Sequence, residues 1–303
     1  MPERAAPRSS IASALERALE RLARSGLPSP RREATTLWAA VAGSGTKPGD
    51  VWLRRDQPLP PELAERFAQA VERRSSGVPF AYAVGRVGFR TLDLKLDTRA
   101  LIPRPETEGL VELVLNWTRR VPRGTWHVER GGGVVADVGT GCGCIALALA
   151  VEGSFERVIA VERAAGAAAL ARENVALVRP DVPVEIREGD LLAPLAGERC
   201  RAIVSNPPYL TEAEYLELDP AVRDFEPRRA LVSGSDGLDA TRSLLGGAAA
   251  LLAPGGLLAL EIDERRAVQV RALARAHGWA RVAIHEDLFG RSRFLLAFAK
   301  EGA

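Results

Sequence analysis

The second half of the chain alternates short apolar runs with helical stretches, and this pattern limits the possible folds more than any other feature. Five such runs follow residue 133, at positions 134–138, 158–161, 184–186, 202–205 and 257–262. Apolar strands separated by helices are typical of a parallel sheet covered by helices on both faces. Two last apolar segments, 281–287 and 294–299, are joined by a loop too short for a parallel crossover, so we expect them to pair antiparallel. The sequence therefore predicts a doubly wound α/β sheet with a last antiparallel strand.

The beginning of the chain has a different pattern. Apolar residues at helical spacing predict an amphipathic helix over 11–24, and weaker patterns predict helices over 32–41 and 61–74. Aromatic and β-branched residues from Phe80, followed by the alternation of 92–96, predict the strands of a hairpin. We therefore predict a helical N-terminal domain (1–75), a β-hairpin linker (76–106) and an α/β domain (107–303) that contains a loop at 121–133.

Composition excludes several classes of protein. Forty-one Lys and Arg residues face 39 Asp and Glu residues, and a net charge of +2 does not demand a polyanionic partner. Three cysteines without CxxC spacing and three histidines are too few for a zinc cluster and favour a reducing compartment. The N-terminus lacks a secretory signal, and prolines and glycines interrupt the longest apolar stretch, at 244–260. We expect a soluble, cytoplasmic protein with no membrane partner and no bound metal.

A glycine-rich turn follows the first apolar run of the α/β part. Gly139, Gly141 and Gly143 remove Cβ atoms where a turn approaches a ligand, and a helix predicted from Ile145 supplies free N–H donors. The G-x-G-x-G spacing differs from the dinucleotide and P-loop patterns, so it argues against NAD and nucleoside triphosphates. A tight turn without a ligand is the alternative.

Two acids stand at the ends of the next two strands. Glu162 comes about twenty residues after the glycines, where doubly wound nucleotide-binding folds keep an acid for ribose hydroxyls. Asp190, followed by Leu191, could accept a hydrogen bond from an adenine amino group. An ordinary helix-start acid and an ordinary turn residue are the alternatives.

A rigid turn, Asn206-Pro207-Pro208-Tyr209, directly follows the fourth apolar run. Two prolines fix two φ angles and remove two backbone donors, so the carbonyl groups of this turn point in set directions. The Asn206 amide oxygen and the Pro207 carbonyl could both accept hydrogen bonds from one planar NH2 group, beside the aromatic ring of Tyr209. We assign all four residues to substrate binding, and Asn206, Pro207 and Tyr209 to catalysis. A proline-stiffened loop is the alternative.

Together these residues resemble a class I S-adenosylmethionine-dependent methyltransferase, and more closely the HemK/PrmC family of protein-(glutamine-N5) methyltransferases. The narrower resemblance rests on Leu-Ile-Pro-Arg-Pro-Glu-Thr-Glu at 101–108, on the Asn-Pro-Pro-Tyr turn, on Phe-Glu-Pro at 225–227 and on Asp-Leu-Phe-Gly-Arg at 287–291. It covers about residues 75–299 and implies a seven-stranded sheet of the class I type.

The resemblance also implies an activity. The expected reaction moves a methyl group from S-adenosylmethionine to the glutamine amide nitrogen of the Gly-Gly-Gln motif in peptide chain release factors, a step of translation termination, and leaves S-adenosylhomocysteine. Asn206 and the Pro207 carbonyl would hold both amide hydrogens and orient the nitrogen. The predicted cofactor-binding residues are Gly139, Thr140, Gly141, Cys142, Gly143, Glu162, Asp190, Leu191 and Asn206. We expect Arg104 to brace the turn or the cofactor, and Glu106 and Glu108 to be structural acids.

This chain departs from the family pattern at a few positions. Glu162 stands where the family mostly has Asp, and Cys142 and Cys144 replace small residues. Asp263 stands where the family has glycine, which raises the question of the backbone geometry there. We do not expect the cysteines to be nucleophiles, because no histidine lies near them in the sequence and small buried thiols are common.

Other functions stay open at this point. Adenine-N6 methyltransferases of nucleic acids use an Asn-Pro-Pro-Tyr turn on the same kind of planar amino group. The chain shows neither an added target-recognition domain nor a strongly basic composition, so nucleic acid is not the expected substrate. A ribosomal-protein glutamine is a further alternative, and an inactive cofactor-binding module is the alternative outside catalysis.

Overall fold

The computed structural model describes residues 10–43, 45–120 and 132–301. The chain forms two compact units, Met1–Arg86 and Val87–Ala303. The predicted three-part division into 1–75, 76–106 and 107–303 stays a prediction, and 121–131 of the predicted loop lies outside the described residues. In the part of the chain that the model describes, no helix is both long enough and apolar enough to cross a bilayer.

The first unit is helical. Its helices are α1 (Ile11–Arg24), α2 (Pro30–Ala42), α3 (Asp50–Arg54), α4 (Pro61–Ser75) and α5 (Phe80–Val84). The Ser10 hydroxyl caps α1 by accepting the Ser13 N–H at 3.2 Å. Apolar faces of α1, α2 and α4 form one core that includes the buried side chains of Leu22, Trp38 and Phe67.

The prediction of a strand from Phe80 was wrong, because residues 80–84 form α5. Phe80 and Val84, one helical turn apart, pack against the core of the first unit. Gly85 then ends the helix at φ +77°, a conformation that favours glycine. Tertiary packing of this i, i+4 pair therefore overrides the β propensity of its residues.

A hairpin of β1 (Arg86–Phe89) and β2 (Leu92–Lys95) follows, as the alternation of 92–96 predicted. Its turn residue Arg90 is held at φ +52°. The Arg90 guanidinium donates to Glu152 at 2.6 and 2.7 Å and to Glu112 at 2.8 Å, and its backbone N–H donates to Glu108 at 2.9 Å. These contacts fasten the hairpin to two helices of the second unit.

The second unit is built on a mixed sheet. Its strands are β3 (Val134–Val138), β4 (Arg157–Glu162), β5 (Val184–Glu188), β6 (Cys200–Ser205), β7 (Leu252–Glu261), β8 (Arg281–Glu286) and β9 (Ser292–Phe298). Among the described residues the sheet has seven strands in the order β5-β4-β3-β6-β7-β9-β8. Strands β3 to β7 run parallel, and β9 lies antiparallel between β7 and β8. The predicted class I methyltransferase fold is confirmed.

Helices cover both faces of this sheet. They are α6 (Pro105–Arg120), α7 (Cys144–Glu152), α8 (Ala165–Val178), α9 (Glu212–Leu216), α10 (Pro220–Arg223), α11 (Asp239–Leu251) and α12 (Ala267–Ala276). Helices α11 and α12 share one core with alternate residues of β3, β7 and β9. Helix α7 contacts both α6 and α8, and all three helices contact the sheet without joining that core, so they cover the other face.

Strand order changes direction between β3 and β6, because the chain first adds strands on one side of β3 and then on the other. In open α/β sheets such a switch point leaves a crevice at the carboxyl ends of the strands. The topology therefore places the ligand site of this unit before any side chain is considered.

Candidate functional site

A cleft of about 540 Å³ lies at the carboxyl ends of β3, β4, β5 and β6. Six of the predicted cofactor residues line it, namely Gly139, Gly141, Glu162, Asp190, Leu191 and Asn206. The predicted substrate residue Pro208 lines it as well. Thr140, Cys142 and Gly143 do not line the cleft, and all three are buried. One cavity therefore brings together predicted site residues that are up to 69 positions apart in the sequence.

The glycine turn requires glycine at three positions. Gly139, Gly141 and Gly143 have φ values of +76°, +58° and +87°, a region that side chains rarely adopt. Backbone N–H groups of Gly139 and Thr140 both donate to the Val161 carbonyl, at 2.9 and 3.0 Å. The turn is thereby tied to the end of β4, and the helix that follows begins at Cys144, one residue before the prediction.

The Glu162 side chain is hydrogen-bonded to the glycine turn. Its Oε2 accepts the Gly141 N–H at 2.9 Å and its Oε1 accepts the Ala164 N–H at 2.8 Å. The half-buried carboxylate thus has a fixed orientation at the cleft wall. A carboxylate carries about four acceptor sites, so lone pairs remain for ligand hydroxyls after these two bonds.

Asp137, which the sequence analysis did not single out, holds the glycine turn from the protein interior. Its Oδ2 accepts the Thr140 hydroxyl at 2.5 Å and the Ala146 N–H at 3.0 Å, and the side chain is fully buried. Burial raises the pKa of Asp137 to about 7, against the effect of these two hydrogen bonds. An acid at the second-to-last position of a central strand, two residues before the first glycine, was the available signal.

Asn174 on α8 is a second support that the sequence analysis missed. The side chain is fully buried, and its Nδ2 donates to the carbonyls of Cys142 and Lys95, at 2.8 and 3.0 Å. Its Oδ1 accepts the Lys95 N–H at 2.8 Å. One amide therefore joins the glycine turn to strand β2, and no local pattern around an asparagine in mid-helix indicates this.

The two cysteines of the turn are free thiols buried in the protein. The hydrogen bond with Cys142 and burial both raise the pKa of Cys144 well above its usual value. A thiol held in its protonated form is a poor nucleophile, which agrees with the structural role expected for this pair.

Asp190 and Leu191 form the third side of the cleft. Asp190 is exposed, with its Oδ1 3.7 Å from the Arg163 guanidinium. Leu191 has φ +47°, a conformation uncommon for a residue with a side chain. Backbone strain of this kind concentrates at ligand sites, since it places a side chain where a relaxed loop would not.

In the Asn206-Pro207-Pro208-Tyr209 turn, Asn206 and Pro208 line the cleft, whereas Pro207 and Tyr209 do not. Backbone N–H groups of Tyr209 and Leu210 donate to the Leu231 carbonyl, at 3.2 and 2.9 Å. Burial is the main cause that raises the pKa of Tyr209 to about 12, so its phenol stays protonated. Neither Asn206 Oδ1 nor the Pro207 carbonyl accepts a hydrogen bond from the described residues.

The Asn206 amide nitrogen is engaged, in contrast to the oxygen. Its Nδ2 donates to Thr107 Oγ1 at 3.1 Å, and that hydroxyl donates to Glu261 Oε2 at 2.7 Å. Burial raises the pKa of Glu261 to about 7, while the bond from Thr107 acts in the opposite direction. Neither residue was predicted as part of the site.

Arg104 braces the loop before α6. Its guanidinium donates to Glu226 Oε1 at 2.7 Å, and the Ile102 N–H donates to Glu226 Oε2 at 3.2 Å. Glu226 belongs to the Phe-Glu-Pro segment, so this pair joins two of the motifs that are far apart in the sequence. Arg104 does not line the cleft.

Asp263 fits its position without strain. Its φ of −71° is open to any residue, and its side chain caps a short 3-10 helix by accepting the Arg265 N–H at 2.9 Å. The carboxylate also pairs with the guanidinium of the buried Arg266 at 2.5 Å. The backbone conformation at this position is therefore compatible with an acid.

Two family models match the chain. Residues 13–85 match the PrmC N-terminal domain, and residues 126–219 match the methyltransferase small domain. The chain is 42% identical over 294 residues to the release factor glutamine methyltransferase of Moorella thermoacetica, covering 96% of this chain and 99% of that protein. It is 41% identical over 283 residues to the release factor glutamine methyltransferase of Deinococcus radiodurans, covering 93% and 96% of the two chains.

Solved structures support the fold. The N-terminal domain of human METTL16 in complex with SAH has a TM-score of 0.53 at 16% identity, covering 88% of this chain and 94% of that one. At this low identity the similarity concerns the fold alone. The sequence similarity over nearly the full length of the two curated relatives carries the functional comparison.

Proposed function

The chain belongs to the family of release factor glutamine methyltransferases, and from that premise we propose the reaction that its site performs. The protein transfers a methyl group from S-adenosylmethionine to the side-chain amide nitrogen of glutamine in the Gly-Gly-Gln motif of peptide chain release factors. The product of the donor is S-adenosylhomocysteine. One observation carries the proposal: Asn206 Oδ1 and the carbonyl of the adjacent Pro207 accept no hydrogen bond from the described residues, and Asn206 lines a cleft suited to the donor.

The residues of the cleft fit S-adenosylmethionine. The glycine turn offers backbone without side chains, and Glu162 keeps lone pairs for the ribose hydroxyls. Asp190 lies at the end of the next strand, where it can accept from the adenine amino group, and Leu191 adds an apolar wall. When bound, S-adenosylmethionine supplies a methyl group activated by a sulfonium sulfur. The volume of about 540 Å³ is in the range of small-molecule and cofactor pockets.

The acceptor nitrogen needs help from the protein. The lone pair of an amide nitrogen is delocalised, so the nitrogen is a poor nucleophile. Asn206 Oδ1 and the Pro207 carbonyl accept the two N–H groups of the glutamine amide and hold the nitrogen in line for methyl transfer. The same two oxygens stabilise the positive charge that develops on this nitrogen.

Proline contributes to this electrostatic arrangement. Because Pro207 and Pro208 have no N–H groups, no backbone donor of theirs competes with the substrate amide for the acceptor oxygens of the turn. The fixed φ angles hold the Pro207 carbonyl in one direction before the substrate arrives, so little reorganisation is needed. Tyr209, protonated and half-buried, is the last residue of this turn. No general base is assigned, since proton loss can follow methyl transfer.

We assign recognition of the release factor to the first unit. It is a separate compact unit, it matches the PrmC N-terminal domain, and every residue that lines the cleft belongs to the second unit. Substrate proteins are larger than the cleft, so a separate unit that binds the release factor adds specificity without changing the chemistry.

The test is an incubation of the purified protein with methyl-labelled S-adenosylmethionine and, in parallel, release factors, ribosomal proteins, DNA and RNA. We expect the mass gain of one methyl group on the glutamine of the Gly-Gly-Gln motif, located by peptide mass spectrometry. A release factor with asparagine in place of that glutamine is the matched control and should stay unlabelled. Label in nucleic acid or in ribosomal protein alone would contradict the proposed substrate.

A further inference from the structure

The Asn206 amide is the first member of a hydrogen-bond chain that continues into the core. Asn206 Nδ2 donates to Thr107 Oγ1 at 3.1 Å, and Thr107 Oγ1 donates to Glu261 Oε2 at 2.7 Å. Thr107 and Glu261 are 2% and 1% exposed, whereas Asn206 is half-buried and lines the cleft. This hydrogen-bond chain therefore begins at the cleft with Asn206 and ends at the buried carboxyl group of Glu261.

The order of donors and acceptors in this hydrogen-bond chain is set by its end when Glu261 is ionised. An ionised carboxylate can only accept hydrogen bonds, so above the raised pKa of Glu261 the single hydroxyl hydrogen of Thr107 is directed to it. The Thr107 oxygen then has only lone pairs to offer to Asn206, and only the NH2 side of the Asn206 amide matches them. The opposite orientation would place Asn206 Oδ1 against an oxygen without a free hydrogen.

Elements from three parts of the chain hold these groups in place. Thr107 lies in the first turn of α6, where its N–H donates to the Arg104 carbonyl at 3.1 Å. Glu261 is the last residue of β7 and pairs with Phe294 of β9. Asn206 follows β6, the direct neighbour of β7. Backbone pairing of β6 with β7 therefore sets the spacing of Asn206 and Glu261, and the packing of α6 against β7 places Thr107 within reach of both.

We propose that Thr107 and Glu261 are positioning residues that keep the oxygen of the Asn206 amide directed toward the methyl acceptor. This inference rests on the proposed function, because an amide or amino NH2 group must be the group that Asn206 Oδ1 binds. An amide turned the other way would present N–H donors to the N–H groups of the substrate, and methyl transfer would lose its orienting contact.

The test compares variants in the full-length protein. Thr107→Val keeps the shape of the side chain and removes the hydroxyl, and Thr107→Ser restores a hydroxyl. Glu261→Gln replaces an acceptor by a group that both donates and accepts, so the direction of the Thr107 hydroxyl is no longer fixed. Thr241→Val is the matched control, since Thr241 is equally buried, at 2%, on α11 and does not line the cleft.

We expect Thr107→Val to lower kcat on an intact release factor about ten-fold or more. KM for the release factor and Kd for S-adenosylmethionine, measured by calorimetry, should stay within about three-fold, because the residue acts on orientation and not on ground-state binding. Thr107→Ser should recover most of the lost kcat, and Glu261→Gln should lie between the wild type and Thr107→Val. The double variant should be no slower than Thr107→Val, since Glu261 acts through Thr107.

Three results would overturn the inference. They are a wild-type kcat in Thr107→Val, an equal loss of kcat and cofactor affinity in both Thr107→Val and Glu261→Gln, and a Thr107→Ser variant as slow as Thr107→Val. Failure of the proposed function gives a different result, because the wild type then leaves release factors unmethylated. If it methylates nucleic acid, the same variants are assayed on that substrate, whose amino group needs the same Asn206 orientation.

Discussion

At the scale of single residues, the site depends on polar side chains that use some of their hydrogen-bonding atoms within the protein and keep others for a ligand. Asn206 lines the cleft, its amide nitrogen donates to Thr107, and its amide oxygen accepts no hydrogen bond from the described residues. Glu162 uses one lone pair on each oxygen for the backbone. Substitutions at these positions should therefore separate binding from catalysis, provided that the backbone around them stays in place.

Replacing Asn206 by alanine tests whether this residue acts in methyl transfer and not in cofactor binding. We expect Asn206→Ala to nearly abolish methyl transfer while the affinity for S-adenosylmethionine stays within several-fold, because the residue acts mainly in the transition state. Steady-state kinetics and calorimetry measure the two quantities. A parallel loss of both would show that Asn206 is structural.

Glu162 should behave in the opposite way. Glu162→Ala removes the acceptor for ribose hydroxyls and the two backbone bonds that fix the turn, so we expect Kd for S-adenosylmethionine to rise about ten-fold or more. Glu188→Ala is the control, since Glu188 ends the neighbouring strand and does not line the cleft. An unchanged Kd in Glu162→Ala would contradict the assignment.

The buried carboxyl group of Asp137 makes the free energy of unfolding depend on pH. Its pKa is about 7 in the folded protein, against 3.8 for the free group, so the folded state binds more protons between these two values. The free energy of unfolding should therefore fall as pH rises through this window, by at most about 1.4 kcal/mol per pH unit. Asparagine cannot ionise, and Asp137→Asn should gain stability relative to the wild type from pH 5 to pH 7.

Urea unfolding of the wild type and Asp137→Asn at several pH values measures this difference. Other titrating groups contribute to both proteins alike, so only the gap between the two curves matters. Parallel curves would contradict proton uptake by Asp137 on folding.

At the scale of elements, the glycine turn is held by neighbours on every side. Val161 at the end of β4, Asp137 at the end of β3 and Asn174 on α8 all bond to it or to the start of α7. Within the turn the Thr140 hydroxyl adds one contact, to Asp137, and the three glycines have no side chains that could cover a ligand. Because several elements hold the turn in place, a substitution in one of them should alter the turn and thereby lower the affinity for the cofactor.

Asn174→Leu tests this connection. The substitution leaves the Cys142 and Lys95 carbonyls and the Lys95 N–H without partners, and we expect a loss of about 2–4 kcal/mol of unfolding free energy. Affinity for S-adenosylmethionine should fall as well, because the Cys142 carbonyl belongs to the glycine turn. Both are measurable, by chemical unfolding and by calorimetry.

Asn116→Leu on α6 is the matched control for this substitution. Asn116 is half-buried and its amide bonds to the partly exposed Glu112. We expect a cost of less than about 1 kcal/mol and no change in cofactor affinity. A similar cost for both variants would show that Asn174 does not have a special role.

At the scale of the whole molecule, the two units have separate tasks in the proposed function. Every residue that lines the cleft lies between Arg99 and Ser243, in the second unit. A fragment of residues 86–303 keeps β1 complete and should bind S-adenosylmethionine within a few-fold of the full chain. Its KM for the release factor should rise, because the proposed recognition unit is missing.

Two results with this fragment would contradict the separate tasks of the two units. Loss of cofactor binding in a fragment that is folded by circular dichroism would mean that the first unit supports the cleft. An unchanged KM for the release factor would remove the recognition role that we propose for the first unit.

By itself, the sequence determined the parallel sheet, the antiparallel last strands, three long N-terminal helices and the family. Each of these depends on periodicity or on a contiguous motif, and a run such as Val134–Val138 carries its own signal of burial. Contiguous motifs also indicated the glycine turn, Glu162 and Asn206, because a strand end and the residues that follow it are neighbours in the chain.

Only the tertiary structure decided which residues support those motifs. Thr107 and Glu261 are 154 positions apart, and Asn174 is 32 positions from Cys142. Helix α5 likewise formed because Phe80 and Val84 pack on a core made elsewhere in the unit. A hydrogen bond or a packing contact between distant segments leaves no local pattern, because its energy depends on the position of the partner in space and not on neighbouring residues in the chain.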